Sequence, residues 1–571
     1  MMPLSEQQMA IVQLPLQPLS VTACAGSGKT KTAVRRLVEM RRLLDDNHGI
    51  VALLSFSNVA VDTFRRDYVA LMRGSAAVRN AFAVEIDTVD GFITTNVLRP
   101  HSHRDMSCQR TPFLVDGREP FLKSFTVYDG ARSNPTADLS VSMDGDAFKF
   151  QVGWKTPKDV AAAEAVKAIT KLGKVGAYTH ALARYWVLQT LKAQPFVLRA
   201  LARRYPHILI DEAQDIGPEH QAILELMVGA GSQLSLIGDS NQGIYDFSGA
   251  NGEFLASYGQ RPGVKSQQLN INYRSVPAIL NVANKLSGRA DAPNRAAPAK
   301  LHGAYYIPFK KAERDKALAT FRSMMTSAGV DATEGVVVCR SRDWADDWSG
   351  AGDGQGQGII RSFADATITR DKLKQYADAF KHACAGIFGL LDVKHQDLLS
   401  QMSRNPPRPE NLALRRAIWS FVRDPETGLP SGTLLADTQW HPLVVARAKV
   451  LVTRLNSEFG LTAGDNLGQK LAKKALRNEP LILIPDLAQA NMPQFRVSTV
   501  HKVKGESLEA VMYVTNKAHV SALLEGTTTE VGRIGYVAVT RARNLFVLAV
   551  PENCLAEFED RLVEKGFQKP G

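Results

Sequence analysis

From Leu19 to Cys24 the chain reads LSVTAC, an apolar, β-leaning run. The glycine-bearing loop AGSGKT follows at once, and beyond it TKTAVRRLVEMRRLL carries apolar residues (Val34, Leu37, Val38) at helical spacing. The pattern predicts strand, loop, helix. A strand-then-turn pattern recurs in RRYPHILIDEAQD, where His207 to Ile210 is a short run suited to burial, and again in SLIGDSNQG. GVVVCRSR predicts a further strand. Between these, SFTVYD is β-like, and LSVSMDGDAFKFQV alternates around Asp144-Gly145, which predicts a hairpin turn. THALARYWVLQTLK and PFVLRALARRY show helical spacing. After GVVVCRSR comes the polar run SGAGDGQGQG (Ser349 to Gly358), read as a flexible loop or hinge. Helical patterns follow it, broken by RNPPRPEN and DPETGLPSG. No internal repeat and no disordered tail is evident.

Composition bounds the picture. The chain has 571 residues, 45% hydrophobic and 22% charged, an ordinary soluble globular balance. That length suggests roughly three to five domains of about 100–200 residues. The formal charge of +12 fits either a merely basic surface or a polyanion partner. The five cysteines, Cys24, Cys108, Cys339, Cys384 and Cys554, are far apart and form no CxxC pair. They suggest neither a zinc site nor a disulfide framework, and they fit a reducing compartment. MMPLSEQQ has no charged leader or long apolar region, so a signal peptide is not expected. No apolar run approaches the ~18 residues of a membrane span. The expectation is a cytoplasmic protein with no membrane partner.

Strand, glycine loop and helix are the context a phosphate-binding Walker A loop requires. Backbone amides along Ala25, Gly26, Ser27 and Gly28, with the helix N-terminus, would cradle the phosphates of ATP. Lys29 adds a point charge, and the Thr30 hydroxyl is placed to hold Mg²⁺. The strict pattern has Gly at the first position, where this chain has Ala23. At the end of the His207–Ile210 run, Asp211 can hold Mg²⁺, and Glu212 can orient and deprotonate the attacking water.

At DEAQD the chain resembles the UvrD/PcrA/Rep-type superfamily 1 DNA helicases. LSEQQ, ACAGSGKT, LLSFSNVAVDTF, TVDGF, LIDEAQD, LIGDSNQGIYDFSGA, LNINYRSVPAIL, STVHKVKGESLEAV and YVAVTRARN stand in the family's order along nearly the whole chain. The resemblance implies an α/β fold with two RecA-like parallel-sheet cores and two inserted, mainly helical accessory domains. The first core would comprise 1–92 and 201–270, the second 271–340 and 483–571. The insertions would be 93–200 and 341–482, the latter shorter than in larger family members. By position, Gln8 would read the adenine edge, Tyr273 would stack on it and Lys31 would lie near it. The acid that meets the ribose would be Glu506, or that contact would be absent. Gln242 would sense the γ-phosphate, and Arg274 and Arg541 would reach it across the cleft. Phe56, Asn58, Thr88, Tyr245, Phe247 and His501 match DNA-contacting positions.

The chain departs from the family pattern at several places. Phe247 replaces a usual Trp, Ser248 an Arg, Asp90 a His and Lys31 an Arg, and KGESLE stands for KGLEF. An acid at Asp90 is unfavourable near a DNA phosphate. These departures leave Lys29, Asp211, Glu212, Gln242, Arg274 and Arg541 in place, so an active ATPase with altered DNA handling is expected. The implied partners are single-stranded DNA and its junctions with duplex, with 3′ to 5′ movement. Short helicases of this type also resemble the helicase subunits of Gabija-like anti-phage systems, which work beside an OLD-type nuclease. With little sequence after YVAVTRARN, a fused nuclease domain of the RecB kind is not expected. The alternative is a regulatory ATPase switch gated by DNA or a partner, with little unwinding of its own.

Overall fold

The computed structural model describes residues 3–44, 49–73, 83–115, 119–145, 147–153, 156–246, 249–349, 355–392, 395, 397–402, 409–482 and 495–570. By internal contacts the chain divides into two compact units, Met1–Val330 with Val500–Gly571, and Asp331–Thr499.

The first unit is built on a parallel sheet. Its elements are α1 (Glu6–Val12), β1 (Leu19–Ala23), α2 (Lys29–Leu43), β2 (Val51–Ser55), α3 (Asn58–Arg73), β3 (Val84–Thr88), α4 (His180–Ala193), β4 (His207–Asp211), α5 (Pro218–Gly229), β5 (Gln233–Gly238) and β6 (Lys265–Leu269). The strand order is β6-β1-β5-β4-β2-β3, and every pairing is parallel. Central strands β2 and β4 are buried at every residue, as expected of a sheet covered on both faces. Alternate side chains divide between two cores. Leu53, Leu209 and Ile237 pack with Val34, Leu37 and Phe64 on the face covered by α1, α2 and α3. Ala52, Leu54, Ile208, Ile210 and Leu236 pack on the other face with Leu188, Leu191 and Leu201.

Residues 93–200 therefore share a core with this sheet. Their first part carries strands and their last part helices, as the sequence pattern predicts. Leu139–Asp144 and Ala147–Val152 form an antiparallel hairpin at the predicted Asp144-Gly145 turn, and Lys158–Val160 adds a third strand. Helices Ala162–Lys174, α4 and Pro195–Arg204 follow.

The same unit contains β7 (Gly303–Phe309), β8 (Leu508–Val514), α6 (Glu530–Arg541) and β9 (Ala542–Pro551). Strand β9 pairs in parallel with both β7 and β8, and it is buried over most of its length.

The second unit is mainly helical. Gly358–Asp371, Tyr376–Leu390, Leu412–Arg423 and His441–Phe459 surround Phe363, Ile387, Phe421 and Trp440. Gly335–Cys339, the predicted strand, pairs in parallel with Arg496–Thr499. Residues 350–354 of the predicted polar loop and 404–408 of RNPPRPEN lie outside the described residues. Among the described residues, no helix is long and apolar enough to cross a membrane.

Candidate nucleotide and nucleic-acid site

Ligands of open parallel sheets bind beyond the carboxyl ends of the strands. The register brings the ends of β1, β5, β4 and β2 level: Thr22 faces Gly238, Ile237 faces Asp211, and Ile210 faces Leu54. The loops leaving those ends line one cavity of about 470 Å³.

The glycine loop leaves β1, and α2 starts at Lys29. Gly26 (φ +70°) and Gly28 (φ +78°) adopt the left-handed conformation that disfavours a side chain. A Cβ on Gly26 would lie 2.6 Å from Arg274 Cβ, and one on Gly28 would lie 2.7 Å from Gln8 Nε2. The loop is braced from several sides. Ser27 Oγ donates to the Cys24 carbonyl at 2.8 Å. Gln8 Nε2 donates to the Ser27 carbonyl at 2.8 Å, from a helix whose start is fixed by the Ser5–Gln8 capping box. Asn272 Nδ2 donates to the Ala25 carbonyl at 2.7 Å, and Tyr273 N donates to the Gly26 carbonyl at 2.9 Å. Tyr273 thus meets the loop through its backbone, and its ring is not part of the cavity wall. Lys31 Nζ donates to the Pro3 carbonyl at 3.0 Å and does not line the cavity either.

Strand β4 delivers the two acids. Thr30 Oγ1 donates to Asp211 Oδ2 at 3.4 Å, while Asp211 Oδ1 is buried without a hydrogen-bond partner. Burial and the adjacent Glu212 hold the Asp211 carboxyl above its ordinary range. An orphaned carboxylate oxygen beside a hydroxyl, in a cavity walled by a phosphate-type loop, fits a hard cation such as Mg²⁺. Glu212 has φ +56°, a strained conformation for a non-glycine residue, costing about 1–3 kcal/mol. Gln214 Nε2 donates to its carboxylate at 2.5 Å. Burial alone would raise Glu212, but Lys29, Lys504, the Gln214 hydrogen bond and Arg541 outweigh it and hold Glu212 below its ordinary range. The two neighbouring acids are thereby pushed apart, which is how acid and base roles are separated.

The far wall comes from Asn272–Arg274 and α6. Arg541 Nη2 donates to Gln242 Oε1 at 2.8 Å, and Gln242 Nε2 donates to Asp239 Oδ2 at 2.7 Å. Arg274 Nη1 donates to the Thr540 carbonyl at 2.8 Å. Burial and the nearby Arg541 lower Arg274 to about 9. Glu506 lines the cavity, and its carbonyl accepts from Arg541 Nη1 at 3.5 Å.

Of the residues expected to contact DNA, Phe56, Tyr245 and His501 also line this cavity. Phe56 meets His220 edge-on at 5.6 Å between ring centroids. Lys504 Nζ lies 4.7 Å from the centroid of Tyr245, and His501 lies 5.7 Å from it. His501 Nε2 donates to the Ile244 carbonyl at 3.1 Å. Asn58 is exposed at the start of α3. The Thr88 hydroxyl accepts from Gly91 N at 2.9 Å and caps the short helix Val89–Ile93. Phe247 and Ser248 lie outside the described residues. Asp90 is not an isolated acid. Arg184 reaches both of its oxygens (3.0 and 2.9 Å), and His220 Nε2 is 2.9 Å from one of them.

Sequence reasoning passed over Lys504, Asp215, Asn272 and Asp239, the acceptor of Gln242. Lys504 Nζ donates to both Asp215 oxygens, at 2.7 and 2.6 Å. All four stand inside recognised motifs, which was the available signal.

Sheet, loop, acid pair and converging arginines define the class, a P-loop nucleotide-binding α/β protein. Residues 4–143 and 155–262 match the family described as the UvrD/REP helicase N-terminal domain. That match, over less than half of the chain, makes the chain similar to the UvrD/PcrA/Rep-type helicases. It is similar to ATP-dependent DNA helicase UvrD2 of Mycobacterium tuberculosis (strain ATCC 25618 / H37Rv), 26% identical over 325 residues, covering 52% of this chain and 45% of that protein. DNA helicase II of Escherichia coli (strain K12) is 25% identical over 299 residues, covering 50% and 40%. The putative ATP-dependent DNA helicase YjcD of Bacillus subtilis (strain 168) is 36% identical over 92 residues, covering 16% and 12%. The chain spans about half the length, or less, of the curated relatives it matches.

Proposed function

We propose that the chain is an ATP-driven motor that moves 3′ to 5′ on single-stranded DNA. It separates strands at junctions with duplex, in DNA repair or anti-phage defence. The observation that carries this reading is the Arg541–Gln242–Asp239 relay inside the cavity that holds Lys29, Asp211 and Glu212. The relatives named ATP-dependent DNA helicases support it.

In this reading, 1–92 with 201–270 and 271–340 with 483–571 are two RecA-like cores, and 93–200 and 341–482 are insertions. Lys29 and the loop amides bind the β- and γ-phosphates. Gln8, Lys31 and Tyr273 lie on the adenine side, and Glu506 on the ribose side. Ionised Glu212 orients the attacking water and takes its proton. Thr30 and Asp211 hold Mg²⁺, which when bound offsets phosphate charge. Arg274 and Arg541 meet the charge on the transferring phosphoryl group, a role worth about 10³–10⁵ in rate. Loss of that group leaves Arg541 and Gln242 without their shared ligand, which couples hydrolysis to cleft opening. Phe56, Tyr245 and Phe247 stack bases at roughly 1–3 kcal/mol each. Asn58, Thr88 and His501 approach the strand backbone. In a defence setting the partner is a separate OLD-type nuclease.

The test is ATP hydrolysis with and without single-stranded DNA, with Lys29→Ala as control. Strong stimulation that vanishes in the variant supports the motor. Robust hydrolysis indifferent to DNA overturns it and leaves a partner-gated ATPase switch.

A further inference from the structure

A second cavity, of about 250 Å³, adjoins the nucleotide cavity and shares Phe56, Asp215 and Tyr245 with it. Its wall is unusual for a surface that meets nucleic acid. Asp90, Asp215 and Glu219 line it, against Arg184 and His220. Arg184 from α4 spends Nε and Nη2 on Asp90. Asp215 is engaged by Lys504. Glu219, at the start of α5, is only 4% exposed and lines the cavity, yet its carboxylate makes no hydrogen bond among the described residues.

With Asp90 paired to Arg184 and Asp215 to Lys504, the Glu219 carboxylate is left as the excess charge of this wall, which is unfavourable to a phosphate group. Two aromatic rings at the same cavity offer π-faces to a flat, uncharged ring. Such a ring would meet a surface of hydrogen-bond acceptors: the Glu219 carboxylate, which makes no hydrogen bond among the described residues and acts on Arg184 only through its charge, and Asp90, which is 41% exposed at its side chain and keeps one lone pair, on Oδ2, beyond those used by Arg184 and His220. Acceptors select ligands by their donors. Guanine presents a ring N–H beside an exocyclic amino group, a pair matched to one carboxylate. Adenine and cytosine offer an amino group alone. Thymine presents a single ring N–H flanked by two carbonyls, which carboxylates repel.

We infer that this cavity is a base-reading subsite that takes an unstacked nucleobase, with guanine preferred and thymine disfavoured. Asp90 and Glu219 are its specificity-determining residues, and Arg184 and His220 position Asp90. The inference rests on the reading of the chain as a single-strand motor and adds sequence preference to it. It also gives the Asp90 departure a function. The acid is unsuited to a backbone phosphate and suited to a base edge.

The experiment is fluorescence-anisotropy binding of the full chain to four labelled oligonucleotides of equal length. One is all thymine, one has guanines interspersed singly among thymines so that no quadruplex forms, one has cytosines so placed, and one has abasic sites there. A good bidentate base contact is worth roughly 1–3 kcal/mol, so the guanine oligonucleotide is expected to bind about tenfold tighter than all-thymine. The cytosine one falls between, and the abasic one binds no better than thymine. Asp90→Asn and Glu219→Gln should each bring the guanine-to-thymine ratio towards one, whatever happens to absolute affinity. A ratio near one in the unsubstituted protein overturns the inference even where neither variant folds. So does a preference that survives in both folded variants. Binding to none of the four overturns the motor reading as well, so the two failures are distinguishable.

Discussion

Replacing Lys504 with methionine removes the positive partner from a pair whose side chains are 8% and 4% exposed. Breaking a buried pair in this way costs about 3–5 kcal/mol, because the remaining charge stays buried without compensation. Asp215 adds a pH signature. Burial lifts its carboxyl from 3.8 to about 6 even though Lys504 pulls it down, and Glu212 pushes it further up. A carboxyl raised on folding contributes stability that is fully present below its unfolded value, 3.8, and lost as pH rises through about 6. Without Lys504 the folded value climbs further, so the loss continues through neutral pH, at about 1.36 kcal/mol per unit. Lys504→Met should therefore be destabilised by about 3–5 kcal/mol near pH 8 and by much less near pH 5.5, where Asp215 carries its proton. The assay is denaturant unfolding followed by tryptophan fluorescence at both pH values. Lys504→Met with Asp215→Asn should recover most of the loss. An equal loss at both pH values, or a double variant no more stable than the single, would refute the reasoning.

Gly26→Ala adds a methyl 2.6 Å from Arg274 Cβ at φ +70°. The left-handed backbone alone costs about 1–2 kcal/mol, so fluorescent-nucleotide affinity should fall at least about tenfold; unchanged affinity would count against the close approach. Arg541→Lys keeps the charge but loses the planar fork that meets Gln242. DNA-stimulated turnover should drop by about 10³ or more while nucleotide binding changes little, as read by steady-state kinetics and titration. Because burial and Glu212 hold Asp211 above its ordinary range, a proton competes with Mg²⁺ there. Mg²⁺-dependent nucleotide affinity should rise as pH increases through neutrality, and a flat titration would remove Asp211 from the cation site.

Strands β1, β4 and β5 were legible because each is a short apolar run ending in turn chemistry, as strands of a doubly covered parallel sheet should be. The residues of the phosphate loop and the acid pair were legible because each group lies within a few consecutive positions. What stayed hidden was long-range. Asp90 meets Arg184 and His220, 94 and 130 residues away, and Lys504 meets Asp215 across 289. No local spacing encodes such pairs. Strands Ser133–Pro135 and Lys158–Val160 have three residues each, too few for a two-residue period to declare itself. Asp90 stood out in the sequence only as a departure from the family pattern, and Glu219 not at all, until the fold brings both to one cavity with Phe56 and Tyr245.

The central claim is that ATP hydrolysis moves this chain along a single strand. Its most direct test is ATP-dependent displacement of streptavidin from biotin placed at either end of a mixed-sequence oligonucleotide. The account predicts rapid displacement from the 5′ end, slow displacement from the 3′ end, and neither with Lys29→Ala. ATP hydrolysis stimulated by the same oligonucleotide, with no faster displacement from either end, would contradict it.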